Sequence, residues 1–177
     1  YEGTRINIEK FLEDPTMVNI YGYGIKTLSP IKTFVQLVLH HYKELNSIYH
    51  LASHNCIRQS MFKDVFFLLQ NNSTLLTPNN ICKISELYDI KPYVYYILYF
   101  TYFVFPHEFL KPYVEMLYDD TGVYLLDFYG LSKDERKRWQ INVDTRLREN
   151  NLFEYIKNDL NENDYYKLKK NKDIFSL

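Results

Sequence analysis

Alanine is almost missing from this chain, with Ala52 the one example in 177 residues. Glycine (5), cysteine (2) and tryptophan (1) are scarce as well, and each shortage excludes something. The sequence contains no GxxxxGK, GxGxxG or GxSxG, so the usual phosphate-cradling loops and nucleophile elbow are out. Cys56 and Cys82 show no CxxC spacing and supply no disulfide scaffold. Two lone thiols point to a reducing compartment, with the cytoplasm as the default. The net charge of -1 gives no strong nucleic-acid signal. A basic-then-apolar leader is lacking, and residue 1 is Tyr in place of Met. The expectation is that something upstream was removed or that this is a piece of a longer protein.

A membrane-spanning run is lacking too. The most apolar stretch is YVYYILYFTYFVF, residues 93–105, bounded by Pro92 and Pro106. As a helix it would reach roughly 20 Å at about 1.5 Å per residue. A bilayer core needs about 20 apolar residues, and five of these are Tyr, whose hydroxyls need partners. The pattern predicts a buried helix at the centre of a bundle, and no membrane partner.

What the chain does have is aromatic mass, 18 Tyr and 12 Phe, with 46% hydrophobic and 24% charged residues. That suffices to bury the core of one domain. The expected fold is mainly α, an orthogonal or irregular bundle of about five to seven helices with a short N-terminal extended or β arm. Residues 1–28 form the arm. In it Ile6, Ile8 and Phe11 suggest a short strand or a ragged helix, and MVNIYGYGIKTL suggests one extended strand or a hairpin.

Residues 29–131 form the bundle. Ser29-Pro30 and Thr77-Pro78 are N-cap and first-position signals for its first and third helices. Between these helices come a looser stretch, residues 48–54, and a second helix from about Cys56 to Gln70. The aromatic helix begins at Lys91-Pro92, and another runs from about Glu108 to Leu117. Asp119, Asp120 and Gly122 read as a loop.

Residues 132–177 are a charged helical tail wrapping the bundle, with 11 basic and 9 acidic residues. In it KDERKRW reads as a solvated turn with a Trp anchor. Trp139, Ile141 and Val143 suggest a short strand, and Leu147 to Leu160 an amphipathic helix.

Two sets of residues are candidates for chemistry. His50 and His54 stand four apart, the spacing of a zinc pair on a helix. They lack the Glu of HExxH and any nearby residue that completes a set, so no metal is assigned. The second set is polar: His40, His41 and Lys43 at the end of one helix, with Arg58 and Asp64 on the next. If those helices pack antiparallel, the five line one end of the bundle. Lys and Arg there suit a phosphate, and Asp64 would orient a base. An interhelical salt bridge beside a satisfied histidine accounts for the same residue types.

The ordered series IKTLSPIKTFVQLVLHHYKE, IRQSMFKDVFFLL and ISELYDIKPYVYYILYF resembles the uncharacterised nucleotidyltransferase family of bacterial proteins. The likeness covers roughly residues 20–105 and weakens in the tail. In that family an α/β half precedes a helical half. The helical half has a Ser-Pro helix start, a His- and Lys-containing helix end, an Arg/Asp helix (here Arg58 and Asp64) and vicinal aromatics (here Tyr95 and Tyr96).

The family's catalytic Gly-Ser turn and Asp-x-Asp pair, which hold Mg²⁺ against a nucleoside triphosphate, do not occur here. The resemblance therefore implies a helical C-terminal portion that covers the nucleotide or presents the acceptor. Its partner would be a catalytic α/β half of the same protein, and it would carry no cofactor of its own. The alternative is a non-catalytic interaction module with an aromatic docking surface. A free-standing hydrolase or metalloprotein built on the histidines would require a bound metal.

Overall fold

The computed structural model describes residue 4, residues 6–54 and residues 57–175; for 54 and 171–175 it describes the backbone alone. Tyr1 and Cys56 lie outside the described residues. The chain is mainly helical, with two short antiparallel strand pairs.

The arm opens with a five-residue helix, α1 (Ile8–Leu12), where the Asn7 side chain accepts the Lys10 N–H at 3.1 Å. Phe11 is buried edge-on against Tyr88, with ring centres 5.9 Å apart. A hairpin follows, β1 (Thr16–Ile20) and β2 (Tyr23–Thr27), in register from Thr16 opposite Thr27 to Ile20 opposite Tyr23. Its two-residue turn puts Tyr21 at φ 52° and Gly22 at φ 88°, the twist that a right-handed hairpin needs. The Asn19 side chain accepts the Gly22 N–H at 2.8 Å. Every strand residue of the hairpin is exposed.

The bundle begins with α2 (Pro30–Asn46), whose first position is Pro30. Ser29 stands at its N-cap, but its hydroxyl makes no capping bond. The stretch expected to be loose is helical, α3 (Ile48–His54). Then come α4 (Gln59–Asn71), α5 (Pro78–Leu87, with Thr77 accepting the Asn80 N–H) and α6 (Lys91–Val104). A 3₁₀ turn leads into α7 (Lys111–Met116), which has Pro112 in its first turn.

The expected loop at 119–122 is in fact a helix start, α8 (Asp120–Leu125). The Asp119 carboxylate accepts the Gly122 N–H at 2.8 Å, so the acidic pair is a cap. Gly122 is there because α8 crosses α6 closely. A Cβ on it would stand 2.8 Å from Tyr95 Cδ1 and 2.9 Å from the Pro92 carbonyl.

At the centre, α6 is buried on nearly all sides and packs against α2, α4 and α8. That suits a helix that is apolar all round. Phe100 stacks on Phe62 at 5.7 Å, and Tyr96 meets Tyr42 edge-on at 5.1 Å. Its hydroxyls are not wasted: Tyr96 Oη donates to Asn46 Oδ1 at 3.2 Å, and Asn46 Nδ2 donates to the Tyr42 carbonyl at 2.9 Å. Asn46→Ala strands the Tyr96 hydroxyl and should cost about 2 kcal/mol in urea unfolding. Adding Tyr96→Phe should restore part of the loss, since it removes the stranded group.

The tail departs from expectation in three places. The proposed strand at Trp139–Val143 is absent, and β4 (Lys137–Arg138) pairs instead with β3 (Phe128–Tyr129). Val143 opens α9 (Val143–Arg148), because Asn142 accepts the Thr145 N–H at 2.8 Å. The single amphipathic helix over 147–160 is broken into α9, α10 (Phe153–Ile156) and a 3₁₀ turn. The last element is α11 (Glu162–Phe175). Trp139, Leu152 and Ile156 join the same core as α6. Among the described residues no helix is long and apolar enough to cross a membrane.

Candidate functional site

The last two turns of α2 carry His40, His41, Lys43 and Glu44, and at about 100° per residue these four cannot share one face. His40 is exposed, its Nε2 3.4 Å from Glu44 Oε1. His41 turns inward to 5% exposure, with Nδ1 3.9 Å from Glu44 Oε2. Burial holds the His41 imidazole below its usual pKa and the neighbouring His40 adds to this, while the Glu44 and Asp64 charges pull the other way. Asp64, exposed on α4, is thus close enough to act on His41 across the helix pair.

Lys43 points elsewhere, into a cleft of about 570 Å³ between the α2–α3 junction and α11. Arg58 stands at the N-cap of α4 and lines a separate hollow of about 60 Å³ with Glu44 and His50. The five residues therefore do not form one site. The Asp64 charge acts on His41 from the next helix and His40 is tied to His41 through Glu44, while Lys43 and Arg58 line different cavities.

Sequence reasoning missed most of the larger cleft, whose polar walls are Lys43, Tyr49, His50, Glu135, Asp164 and Lys167. Asp164 is 3% exposed, and its carboxylate receives Lys137 Nζ at 2.8 Å. Asn161 and Asp164 also cap α11 reciprocally, each side chain accepting the other's N–H at 3.0 Å. Burial alone would raise the Asp164 carboxyl. The hydrogen bonds from Lys137 and the Asn161 N–H, with the Lys137 and Lys167 charges, outweigh it and hold the pKa below the carboxylate range. Lys167 bridges to Glu135 at 2.7 Å.

The KDERKR run is therefore not simply a solvated face, because Glu135 and Lys137 grip α11. The Asn161/Asp164 cap was readable from its spacing; the partners some thirty residues away were not. Among the described residues Lys43 makes no ion pair, which leaves its ammonium available to an anion.

His50 and His54 do lie on one continuous helix, α3. The His54 side chain is outside the described residues, and His50 faces the two cavities. Nothing in the sequence singles out Arg146. It is 2% exposed and held between Trp139 and Phe100, 5.2 Å and 5.5 Å from their ring centres.

The tyrosines are divided. Tyr42, Tyr93, Tyr95, Tyr96, Tyr113 and Tyr129 fill the core. The exposed ones are spread over the hairpin, the turn before α8, α8 itself, α10 and α11.

At the other end of α2, an apolar groove of about 380 Å³ runs between Pro30, Ile31, Leu75, Ile84 and Leu87. Compared with known proteins, the chain matches no family model, no curated protein and no solved structure.

Proposed function

We propose that this chain is the helical portion of a nucleotidyltransferase-like protein of the cytoplasm, docked on an α/β half that carries the chemistry. The observation that carries this reading is the hairpin. It exposes Met17, Val18, Ile20, Tyr23 and Ile25, and it runs straight into Ser29 and Pro30 at the lip of the apolar groove. A two-stranded hairpin is marginal by itself, and its free edges suit continuation of a sheet. The docked half would therefore meet the hairpin and groove with strands and apolar side chains.

Lys43 then lies about 20 Å along α2 from Pro30, at about 1.5 Å per residue. A half of about 100 residues, with a radius of gyration near 13 Å, spans that distance. The cleft beside Lys43 would take the nucleotide or the acceptor, with Lys43 on a phosphate and Tyr49 on an aromatic or apolar part. Of the five assigned residues only Asp64 is a carboxylate, and two-metal chemistry needs a converging pair. The Mg²⁺ would accordingly be held by the α/β half, and this chain supplies the cover. The dispersal of exposed tyrosines gives the aromatic docking surface less support.

Calorimetry with Mg-nucleotides on the longer protein, in which the chain is joined to its α/β half, tests the assignment. Lys43→Ala should weaken binding about tenfold, the equivalent of about 1.4 kcal/mol. Unchanged affinity removes Lys43 from the site.

A further inference from the structure

We propose that His40, His41 and Glu44 form a zinc site near the C-terminal end of α2, with an open position on the exposed His40 side. The proposal does not depend on the nucleotide reading. One ligating atom from each residue already lies within 4.8 Å of the others. Glu44 is the hinge of the set, reaching His40 Nε2 at 3.4 Å with one oxygen and His41 Nδ1 at 3.9 Å with the other.

The independent observation is His41 itself. Its ring is buried, and neither nitrogen finds a hydrogen-bond partner among the described residues. Buried polar atoms left so are uncommon and costly, so each calls for an explanation. A helical i,i+4 pair explains His40 with Glu44; it leaves His41 unexplained. A metal ion seated against Glu44 would take the lone pair of one His41 nitrogen and draw the three side chains together, while the second ring nitrogen keeps its N–H.

The chemistry and the geometry both fit. Two imidazole nitrogens and one carboxylate oxygen are a zinc donor set, and three protein ligands leave a fourth position for water. In a tetrahedral site with bonds of about 2.0–2.1 Å, the ligand atoms stand about 3.4 Å apart. The present 4.8 Å limit must therefore contract. His40 is exposed and Glu44 half-buried, so these two can swing while His41 stays fixed by its packing. Glu44 supplies one negative charge against Zn²⁺.

The test is a Zn²⁺ titration of metal-depleted protein against a chromophoric indicator, in a Cys56→Ser, Cys82→Ser background that removes thiol binding. One equivalent should bind. His40→Gln and Glu44→Gln should each weaken it at least tenfold, while His107→Gln, at the 3₁₀ turn before α7 and outside the set, should not. Circular dichroism checks that both variants, which alter side chains outside the core, remain folded. Co²⁺ in place of Zn²⁺ should give a visible tetrahedral spectrum in the wild type that His40→Gln loses. Absence of stoichiometric Zn²⁺ binding, or wild-type affinity in either variant, overturns the site.

Discussion

Gly130→Ala should lower stability by about 3 kcal/mol, although it adds a single methyl group. Two costs combine at this position. The backbone of Gly130 sits at φ 98°, a region that residues with a Cβ rarely enter. Strain of this kind costs about 1–3 kcal/mol. An added Cβ would also stand 2.4 Å from the Glu135 carbonyl oxygen and 2.9 Å from Arg136 Cα. Both are backbone atoms and cannot rotate aside, so the loop itself must move, at an overpacking cost of about 1–3 kcal/mol.

The damage spreads because Gly130 is tied at both ends. Its N–H donates to the Asn46 carbonyl at 2.8 Å, closing the C-terminus of α2, and the loop it braces carries Glu135 and Lys137 to α11. For a chain of this size about 3 kcal/mol corresponds to a fall in melting temperature of roughly 6–12 °C. Gly22→Ala is the internal contrast: φ is again positive, at 88°, but nothing lies within 4 Å of the added Cβ. It should cost only about 1 kcal/mol. Calorimetric scans of the two variants separate backbone strain from collision. Equal shifts would mean that the Gly130 loop is not packed as described.

The helices of the bundle were legible because their signals are local. Pro30, Pro78 and Pro92 mark helix starts, and the apolar run after Pro92 could only be satisfied by burial on all sides. The tail misled for the opposite reason. Trp139, Ile141 and Val143 alternate like a strand, yet Asn142 captures the Thr145 N–H and starts a helix in their midst. A single capping side chain thus overrides a weak period-two pattern.

The site was half legible. Helix ends rich in His, Lys and Glu stand out in a sequence, and the Asp64 charge does act on His41 from the next helix. The sequence offered no way to see that Lys43 turns from them towards α11. Its cleft is walled by Glu135, Asp164 and Lys167, residues whose mates are set by tertiary packing rather than by spacing.

Asp164→Ala should have the largest effect on that cleft, at about 3–5 kcal/mol. It removes the partner of Lys137, whose side chain is 16% exposed beside a carboxylate only 2% exposed. Breaking such a pair leaves a cation with little water and no counter-charge, which is where a loss of this size arises. The same carboxylate accepts the Asn161 N–H, so half of the reciprocal cap on α11 is lost as well, while Asn161 still accepts the N–H of residue 164. Asp164→Asn retains an acceptor for one of these donors and should lose less, about 2 kcal/mol.

Acid should mimic the substitution. The folded-state pKa of Asp164 lies below its unfolded value, so the folded state holds the proton less tightly than the unfolded chain. The stabilisation is therefore complete above the unfolded pKa, about 3.9, and disappears as pH falls through the lower folded value. Wild type and Asp164→Asn should differ in melting temperature at pH 7, begin to approach each other below about pH 4 and coincide only once the pH is below the folded-state pKa.

Hydrogen exchange adds the local readout. Protection of the α11 amides should fall in Asp164→Ala while that of α6 changes less, because Lys137 and Glu135 help tie α11 to the bundle. Equal loss in both helices would mean that α11 unfolds only with the core. Undiminished protection in α11 would mean that the ion pair does not hold the cleft wall. Retained α6 protection with a released α11 would separate the wall of the cleft from the scaffold beneath it. Lys43 would then stand on a stable helix, with the opposite side of its cleft free to open.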